Sequence, residues 1–383
     1  MKQELILIGT TWPFRGGGIA SFNERLARAF QEQGFKVTIY TFSLQYPSFL
    51  FPGKSQYSNL LPPEDLDIHV TINTVNPLNW IKMGRIIRNQ HAPIVLVRYW
   101  LPFMGACLGT ILRIVKQNKV SRIICIADNI IPHEKRPGDR TLTRYFVQPI
   151  DGFITLSKKV AVDLKQFSSK KVITVPHPLY DHFGAQMSKQ DARKKLKLPA
   201  EGRFILFFGF IRKYKGLDLL LQALAILQYE QKNDPSFEVP RLIIAGEFYE
   251  EEKIYTDLIR ELGIGHLIDA FTHFIPDDEV KYYLNACDFV IQPYRNATQS
   301  GVTPLAYHFE KPMLVTNVGA LPDMILEDKS GIVTEPTAEQ IATGIKKLYE
   351  LGEEHFLFQL RSQKKKYSWE QLTSAIVSLA QNI

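Results

Sequence analysis

The sequence predicts an α/β protein built as two doubly wound domains, each with a parallel sheet covered by helices on both faces. Three observations lead there. Short apolar segments of strand length alternate with longer segments whose apolar residues recur at helical spacing, the pattern of a parallel sheet joined by crossover helices. The alternation runs through the first half of the chain and starts again after a polar, lysine-rich stretch, Ser188–Gly202, which reads as a connector. The chain is 383 residues long, 45% hydrophobic and 22% charged. That supports two or three cores of ordinary globular composition and excludes disorder, a fibre and a coiled-coil rod.

In the first half, Leu5–Gly9 reads as a short buried strand. Ile19, Phe22, Leu26, Ala29 and Phe30 then share one helical face, stopped at Gly34, and Lys36–Phe42 alternates as a strand. Ile94–Val97 and Arg122–Ala127 are further strands with a buried helix, Met104–Val115, between them; Gly152–Leu156 and Val172–Val175 continue the series. In the second half the strands are Phe204–Phe208, Arg241–Ala245, Thr272–Phe274, Phe289–Gln292 and Met313–Thr316. They alternate with helices at Leu217–Leu227, Ile254–Leu262, Asp277–Leu284, Pro304–Phe309 and Ala338–Leu351. Trp369–Ile383, with Leu372, Ile376 and Leu379 at helical spacing, is a closing helix. The expected domains are residues 1–182, completed by a C-terminal helix at 368–383, and residues 183–367.

The longest apolar stretch, Phe204–Ile211, is far short of the ~18 residues of a membrane span. Met1-Lys2-Gln3-Glu4 leads straight into the first strand with no cleavage site, so no signal peptide is expected. Cys107, Cys125 and Cys287 match neither a zinc spacing nor a disulfide framework, which fits a cytoplasmic protein without a structural metal. The net charge of +7 is unevenly placed: residues 1–180 hold 23 Lys and Arg against 11 Asp and Glu, and residues 181–383 hold 23 against 28. A basic first half suits an anionic partner such as a membrane surface or a phosphorylated ligand, or is simply a solvated surface. Nucleic acid is not expected, because no zinc-finger spacing, RNA-binding aromatic strand or continuous basic helix occurs.

In doubly wound sheets ligands bind beyond the carboxyl ends of the strands, at helix N-termini. Four segments there carry chemistry. After the first strand, Gly16, Gly17 and Gly18 lead into the first helix and let the backbone approach a phosphate or its sugar, or form a plain turn. They match neither a dinucleotide fingerprint nor a Walker A loop. After Arg122–Ala127 comes Asp128 through Arg140, with His133, Glu134, Lys135 and Arg136; a His beside a Glu suits acid–base work or the orienting of a hydroxyl. After Phe204–Phe208, Gly209 is followed by Arg212 and Lys215, a pair suited to hold a diphosphate and its departing charge. After Phe289–Gln292, a polar loop reaches Gln299, Ser300, Gly301 and Val302; Thr303 reads as a helix cap and Pro304 as the first helical residue, with the Ser300–Thr303 amides as an anion site. The Gly319–Asp323 turn reads as structural.

Read together, these segments resemble the retaining glycosyltransferases of family 4. Phe208-Gly209 through Lys215-Gly216 is similar to that family's diphosphate segment, and Leu242–Gly246 with Glu247 to its next strand. Phe274–Val280 is similar to its nucleobase-side loop, Asn285–Pro293 to its "A-D-x-x-x-x-P" strand, and Glu310–Pro322 to its "G-K-P-V-V-A-T" run. The glycine triplet and Pro132-His133-Glu134 fit its N-terminal domain. The departures are specific. The family's usual pair of glutamates falls on Ala297 and Leu305, Phe210 takes the usual arginine position with Arg212 as its substitute, and Asp128 stands where many relatives place histidine. A subgroup carries an "A-T-Q-S-G-V" loop like Ala297–Val302.

The resemblance implies the GT-B fold, two Rossmann-like domains facing a cleft with the C-terminal helix crossing back to the first. It implies a metal-independent retaining hexosyltransferase that uses a nucleotide diphosphate-sugar and no other cofactor, acting on a glycan or lipid-linked acceptor in cell-surface polysaccharide or glycolipid synthesis. Arg212, Lys215, His133 and Asp128 would be catalytic. Gly16, Gly17, Gly18, Glu247, Gln299, Ser300, Gly301 and Val302 would bind the donor. Lys82, Arg85, Arg88, Lys135 and Arg136 would meet the acceptor or the inner face of an anionic membrane. A sugar-nucleotide epimerase or hydrolase of the same fold, or a non-catalytic scaffold, are the competing expectations.

Overall fold

The strand segments pair as two all-parallel sheets in a computed structural model that describes residues 3–15, 18–47, 56–58, 61–132, 136–181, 183–233, 235–297 and 300–383. The chain divides into two units, Met1–Pro178 with Ser368–Ile383, and Leu179–Tyr367.

In the first unit the sheet is formed by β1 (Glu4–Ile8), β2 (Lys36–Leu44), β3 (Asp67–Asn73), β4 (Ile94–Tyr99), β5 (Arg122–Ala127), β6 (Gly152–Thr155) and β7 (Val172–Thr174). Their order is β3-β2-β1-β4-β5-β6-β7. The helices between them are α1 (Ile19–Glu32), α2 (Pro77–Gln90), α3 (Gly105–Lys116), α4 (Asp139–Val147) and α5 (Lys158–Leu164). The central strand β4 is buried at every residue, as a strand covered on both faces requires, whereas the edge strand β3 alternates with solvent. The strand order reverses between β1 and β4, so the loops leaving those two strands frame the crevice where such sheets take ligands. The C-terminal helix, Trp369–Gln381, belongs to this unit. Trp369 packs on Phe22 of α1 (ring centroids 4.9 Å apart), Gln33 Nε2 donates to Thr373 Oγ1, and Leu379 lies where a side chain on Gly152 would go.

The second unit repeats the plan. Its strands are β8 (Phe204–Phe208), β9 (Arg241–Ala245), β10 (Ile268–Phe271), β11 (Phe289–Gln292), β12 (Met313–Thr316) and β13 (Gly331–Thr334). They run in the order β10-β9-β8-β11-β12-β13. Its helices are α6 (Lys189–Leu196), α7 (Leu217–Gln231), α8 (Glu252–Leu262), α9 (Val280–Ala286), α10 (Val302–His308), α11 (Leu321–Asp328), α12 (Ala338–Leu351) and α13 (Glu354–Gln363). The order reverses between β8 and β11, so the segments after Phe208 and after Gln292 meet at the switch point.

Three expectations are corrected. The stretch Ser188–Gly202 is not a bare connector: it contains α6, capped by Ser188 Oγ, which accepts from Asp191 N at 3.1 Å. Two of its basic residues are drawn inward by pairing, while Lys194, Lys195 and Lys197 are exposed. Lys189 and Arg193 reach the buried Asp288 at 2.5 and 3.4 Å, and Arg193 lies over the Phe204 ring. The strand expected at Thr272–Phe274 is β10 instead, because its register with β9 ends where Gly246 N donates to Phe271 O. The second unit begins at Leu179 rather than at residue 183, since Leu179 N donates to Tyr367 O (3.0 Å) and joins that unit's two ends.

Asp288, just ahead of β11, is the polar knot of this unit. Besides the two cations it accepts from Phe204 N (2.8 Å) and the Tyr349 hydroxyl (3.1 Å). Removing a buried partner strands the charges around it, at a cost of about 3–5 kcal/mol. Asp288→Ala is therefore expected to lower unfolding free energy by about that much, read from the shift in a urea melt. A loss under about 1 kcal/mol, the level of an exposed pair, would show that the cluster is solvated.

Candidate active site

The switch point of the second sheet brings two of the sequence-selected segments together. β8 ends at Phe208, Gly209 follows, and Ile211 N donates to Glu247 O (2.9 Å), laying this segment beside the one that leaves β9. The close approach needs Gly246, at φ +149°, because a Cβ there would meet Gly209 O at 2.3 Å. Lys213–Lys215 form one tight turn that closes on Gly216 (φ +68°), where any Cβ would stand 2.0 Å from Pro293 O. The reversal sends the Lys215 side chain back across Gly209. Its Nζ lies 2.9 Å from where a Gly209 Cβ would be, with Val302 Cγ2 at 3.7 Å from the same point.

Lys215 is buried, and among the described residues no carboxylate stands within ion-pair distance of it. Its ammonium faces the Tyr294 ring at 5.7 Å. Burial, reinforced by the Arg212 charge, pushes its pKa down to about 7. The half-buried Arg212 lies with its guanidinium over Tyr249, 5.0 Å from the ring centroid. A buried cation without a counter-ion is a costly arrangement that an arriving anion relieves.

Around this pair the expected donor-binding residues take different places. Glu247 is buried at the β9 end. The Val302 amide is not left open, since it donates to Ser300 Oγ (3.1 Å), which in turn meets the Tyr294 hydroxyl at 3.4 Å. Thr303 does not cap α10: its hydroxyl donates to Gln292 Oε1 at 3.1 Å, Gly301 holds the cap position, and Pro304 is the third helical residue. Ala297 and Leu305 are buried apolar side chains at the positions where the resemblance places carboxylates. Phe210 stacks on Tyr249 (centroids 4.4 Å) and lies 6.3 Å from Phe274, so an aromatic stack occupies the place of the usual arginine. Tyr249 and Tyr294, which orient the two cations, were not singled out from sequence; the signal is an aromatic in the turn after each neighbouring strand.

In the first unit, the loop after β1 is fastened by side chains. Thr10 Oγ1 donates to Gln45 Oε1, Thr11 N to Thr41 Oγ1 and Trp12 N to Glu24 Oε1, at 2.9, 3.2 and 2.9 Å. Gly18 caps α1 at φ +70° with open space around it. Gly16, Gly17, His133, Lys135 and Gln299 lie outside the described residues. Asp128 does not present a catalytic carboxylate: Arg98 Nε and Nη2 hold its two oxygens at 2.6 and 2.7 Å in a buried pair. Arg136 is exposed. Lys82 and Arg85 project from α2, whereas Arg88 bends to Gln117 Oε1 at 3.2 Å and leaves their face.

Residues 188–367 match the sequence family of glycosyl transferases group 1. The matched segment, just under half of the chain, contains Arg212, Lys215 and the α10 loop. The chain is 26% identical over 206 residues to a D-inositol 3-phosphate glycosyltransferase of Corynebacterium urealyticum, covering 52% of this chain and 48% of the relative. The match thus spans about half the length of that curated relative. In fold, the chain is similar to HepE from Anabaena, solved in complex with UDP, with a TM-score of 0.74 at 12% identity over 100% of each chain. It is also similar to WaaG, a glycosyltransferase involved in lipopolysaccharide biosynthesis, with a TM-score of 0.68 at 15% identity over 99% of each chain. The two parallel sheets and these structural neighbours establish the GT-B fold.

Since burial and the Arg212 charge hold the Lys215 pKa down at about 7, affinity for a nucleoside diphosphate should fall as pH rises above about 7, by up to about tenfold per unit. Calorimetric titration from about pH 7.5 to 9.5, above the phosphate's own ionisation near 6, reads the slope. Lys215→Met should flatten it, and an unchanged slope in that variant would remove Lys215 from the anion site.

Proposed function

We propose that the protein is a retaining, metal-independent hexosyltransferase that moves a sugar from a nucleotide diphosphate-sugar to a glycan or lipid-linked acceptor in cell-surface polysaccharide or glycolipid synthesis. Two cations, Lys215 and Arg212, suit a diphosphate. UDP as the donor nucleotide has support from the UDP complex of HepE, and a surface glycan as product from the biosynthetic role named for WaaG.

The chemistry follows from charge. As the bond from the anomeric carbon to the phosphate oxygen breaks, negative charge grows on the leaving diphosphate. Lys215 and Arg212 stabilise it, and stabilise it more as it grows, which is what lowers a barrier. The acceptor oxygen bonds to the anomeric carbon on the same face, and its proton passes to the departing phosphate oxygen. The step then balances without a protein nucleophile, consistent with the apolar Ala297 and Leu305. Glu247, Ser300, Gly301 and Val302 would line the donor, and Gln299, Gly16, Gly17 and Gly18 are further donor-binding residues on this reading. His133 would orient a sugar hydroxyl, and the first unit would take the acceptor. Cation side chains fill the role that a metal ion serves in other diphosphate sites.

The α2 face supports work at the inner surface of a membrane. Leu78, Ile81 and Ile86 are exposed apolar residues beside Lys82 and Arg85, lining a shallow groove of about 490 Å³ with Asn89. No helix among the described residues is long and apolar enough to cross a membrane, so contact would be peripheral.

A panel of UDP-, GDP-, ADP- and dTDP-sugars tests the donor reading by thermal shift. One donor should raise the melting point, by about 2.7 kcal/mol of stabilisation at a hundredfold excess over Kd, and Lys215→Ala should abolish the shift. Nucleotide release that needs a glycolipid extract supports transfer. Equal release without the extract favours a hydrolase, and no shift with any donor favours a scaffold. For the membrane reading, the protein should sediment with phosphatidylglycerol vesicles and not with phosphatidylcholine vesicles. Lys82→Glu with Arg85→Glu should cost at least about thirtyfold in that partition, from about 1 kcal/mol per basic residue, and equal binding to both vesicles would sink it.

A further inference from the structure

Arg98 is the fifth residue of an otherwise apolar strand, β4, and is only 3% exposed. Its guanidinium touches three things. Two nitrogens hold Asp128, where the chain leaves β5. Nη1 reaches Asn23 Oδ1 of α1 at 3.4 Å. The plane covers the Phe22 ring, 3.8 Å from its centroid. Asn23, fully buried, passes the contact on: its Nδ2 donates to Thr10 O at 2.9 Å, where the chain leaves β1. Gly9 makes room for this, since a Cβ there would stand 2.6 Å from Asn23 Nδ2. His177 closes the far side of Phe22, edge-on at 5.1 Å, and burial holds its imidazole neutral with a pKa of about 4.

A buried ion pair is weak as a source of stability, because desolvation offsets its attraction, and apolar replacements of similar volume are often as stable or more so. What this pair does supply is a continuous polar connection, Asp128–Arg98–Asn23–Thr10, across β5, β4, α1 and β1. Its two ends are where the segments bearing His133 and Gly16–Gly18 depart from the sheet. The orientation of β4 side chains puts Arg98 on the face that α1 covers, so one guanidinium can hold both exits.

We infer that Arg98 is a positioning residue, joined through Asn23 to Thr10 and directly to Asp128, that holds the exits of the chain from β1 and β5 in one shared geometry for sugar transfer. The catalytic part of this inference rests on the transferase reading; the coupling of the two loops does not. Active-site geometry displaced by about 1 Å costs on the order of a hundredfold in rate, so the connection matters for turnover without contributing to the chemistry.

The test replaces the pair by apolar residues, Arg98→Met with Asp128→Leu, in the full chain. Three quantities are read: the unfolding midpoint, amide hydrogen exchange in peptides spanning 10–19 and 128–139, and nucleotide release from UDP-glucose with a glycolipid extract. The expected result is an unchanged or higher midpoint, exchange faster by about tenfold or more in both peptides with the β-strand peptides unchanged, and kcat lower by roughly 10- to 100-fold. A donor thermal shift that survives in the double variant shows that the Lys215 site of the second unit still binds the donor. Asn23→Ala keeps the ion pair and should loosen only the 10–19 peptide, which guards against a double variant that fails to fold. Unchanged exchange in both peptides overturns the inference, as does loosening confined to 128–139 in the double variant. If the parent protein turns over no donor at all, the transferase reading fails while the exchange data still decide the coupling.

Discussion

A lysine ammonium removed from water with no carboxylate at its side constrains everything around it. At Lys215 the burial cost is met in three ways. Gly209 offers no side chain, so the ammonium can lie against the backbone; the electron-rich face of Tyr294 stands opposite; and the pKa falls toward neutrality. The backbone reversals at Gly216 and Gly246 that create this geometry tolerate no Cβ. On the transferase reading, folding of the segment serves a ligand's charge rather than its own stability, a trade typical of ligand sites. The first unit treats its buried cation in the opposite manner. Arg98 carries its own carboxylate, Asp128, and is left no charge to offer a ligand. One cation is kept available and the other is spent on architecture.

The central strands were legible because burial on both faces leaves a run of apolar residues with no other use. Arg122–Ala127, Phe204–Phe208, Arg241–Ala245, Phe289–Gln292 and Met313–Thr316 have the bounds their composition suggests. Edge strands escape such a reading. Asp67–Asn73 shows one face to solvent, and Gly331–Thr334 is only half-buried throughout, so neither contrasts with its surroundings. The helix α6 is hidden for a different reason: its buried cations are paired with Asp288, a partner remote in sequence. No local pattern reports a counter-ion supplied from elsewhere in the chain.

Site residues divide along the same line. Lys215 and Arg212 are legible because they follow a strong strand and precede a strong helix, and topology then places them at a switch point. Asp128 was legible as an ionisable group at a strand end, but not its occupation by Arg98, which sits inside an apolar run whose evident reading is plain core. The orientation of the Val302 amide was likewise out of reach, since it depends on the Ser300 rotamer. The lone arginine within Ile94–Tyr99, set against an aspartate closing the adjacent strand, is the signal that could have revealed the pair.

The first unit is interrupted in sequence by the whole of the second, and this has a bearing on biogenesis. On the ribosome, α1 emerges early, but the helix that covers Phe22 is made only after residues 179–367 have been translated. Until then an apolar face of α1 and the Gly152 side of the sheet lack their cover. The inserted unit can close around Asp288 as soon as it is out, whereas the older segment must wait for the last turns of chain, exposed to chaperones in the interval. Order of synthesis and order of completion are thereby reversed.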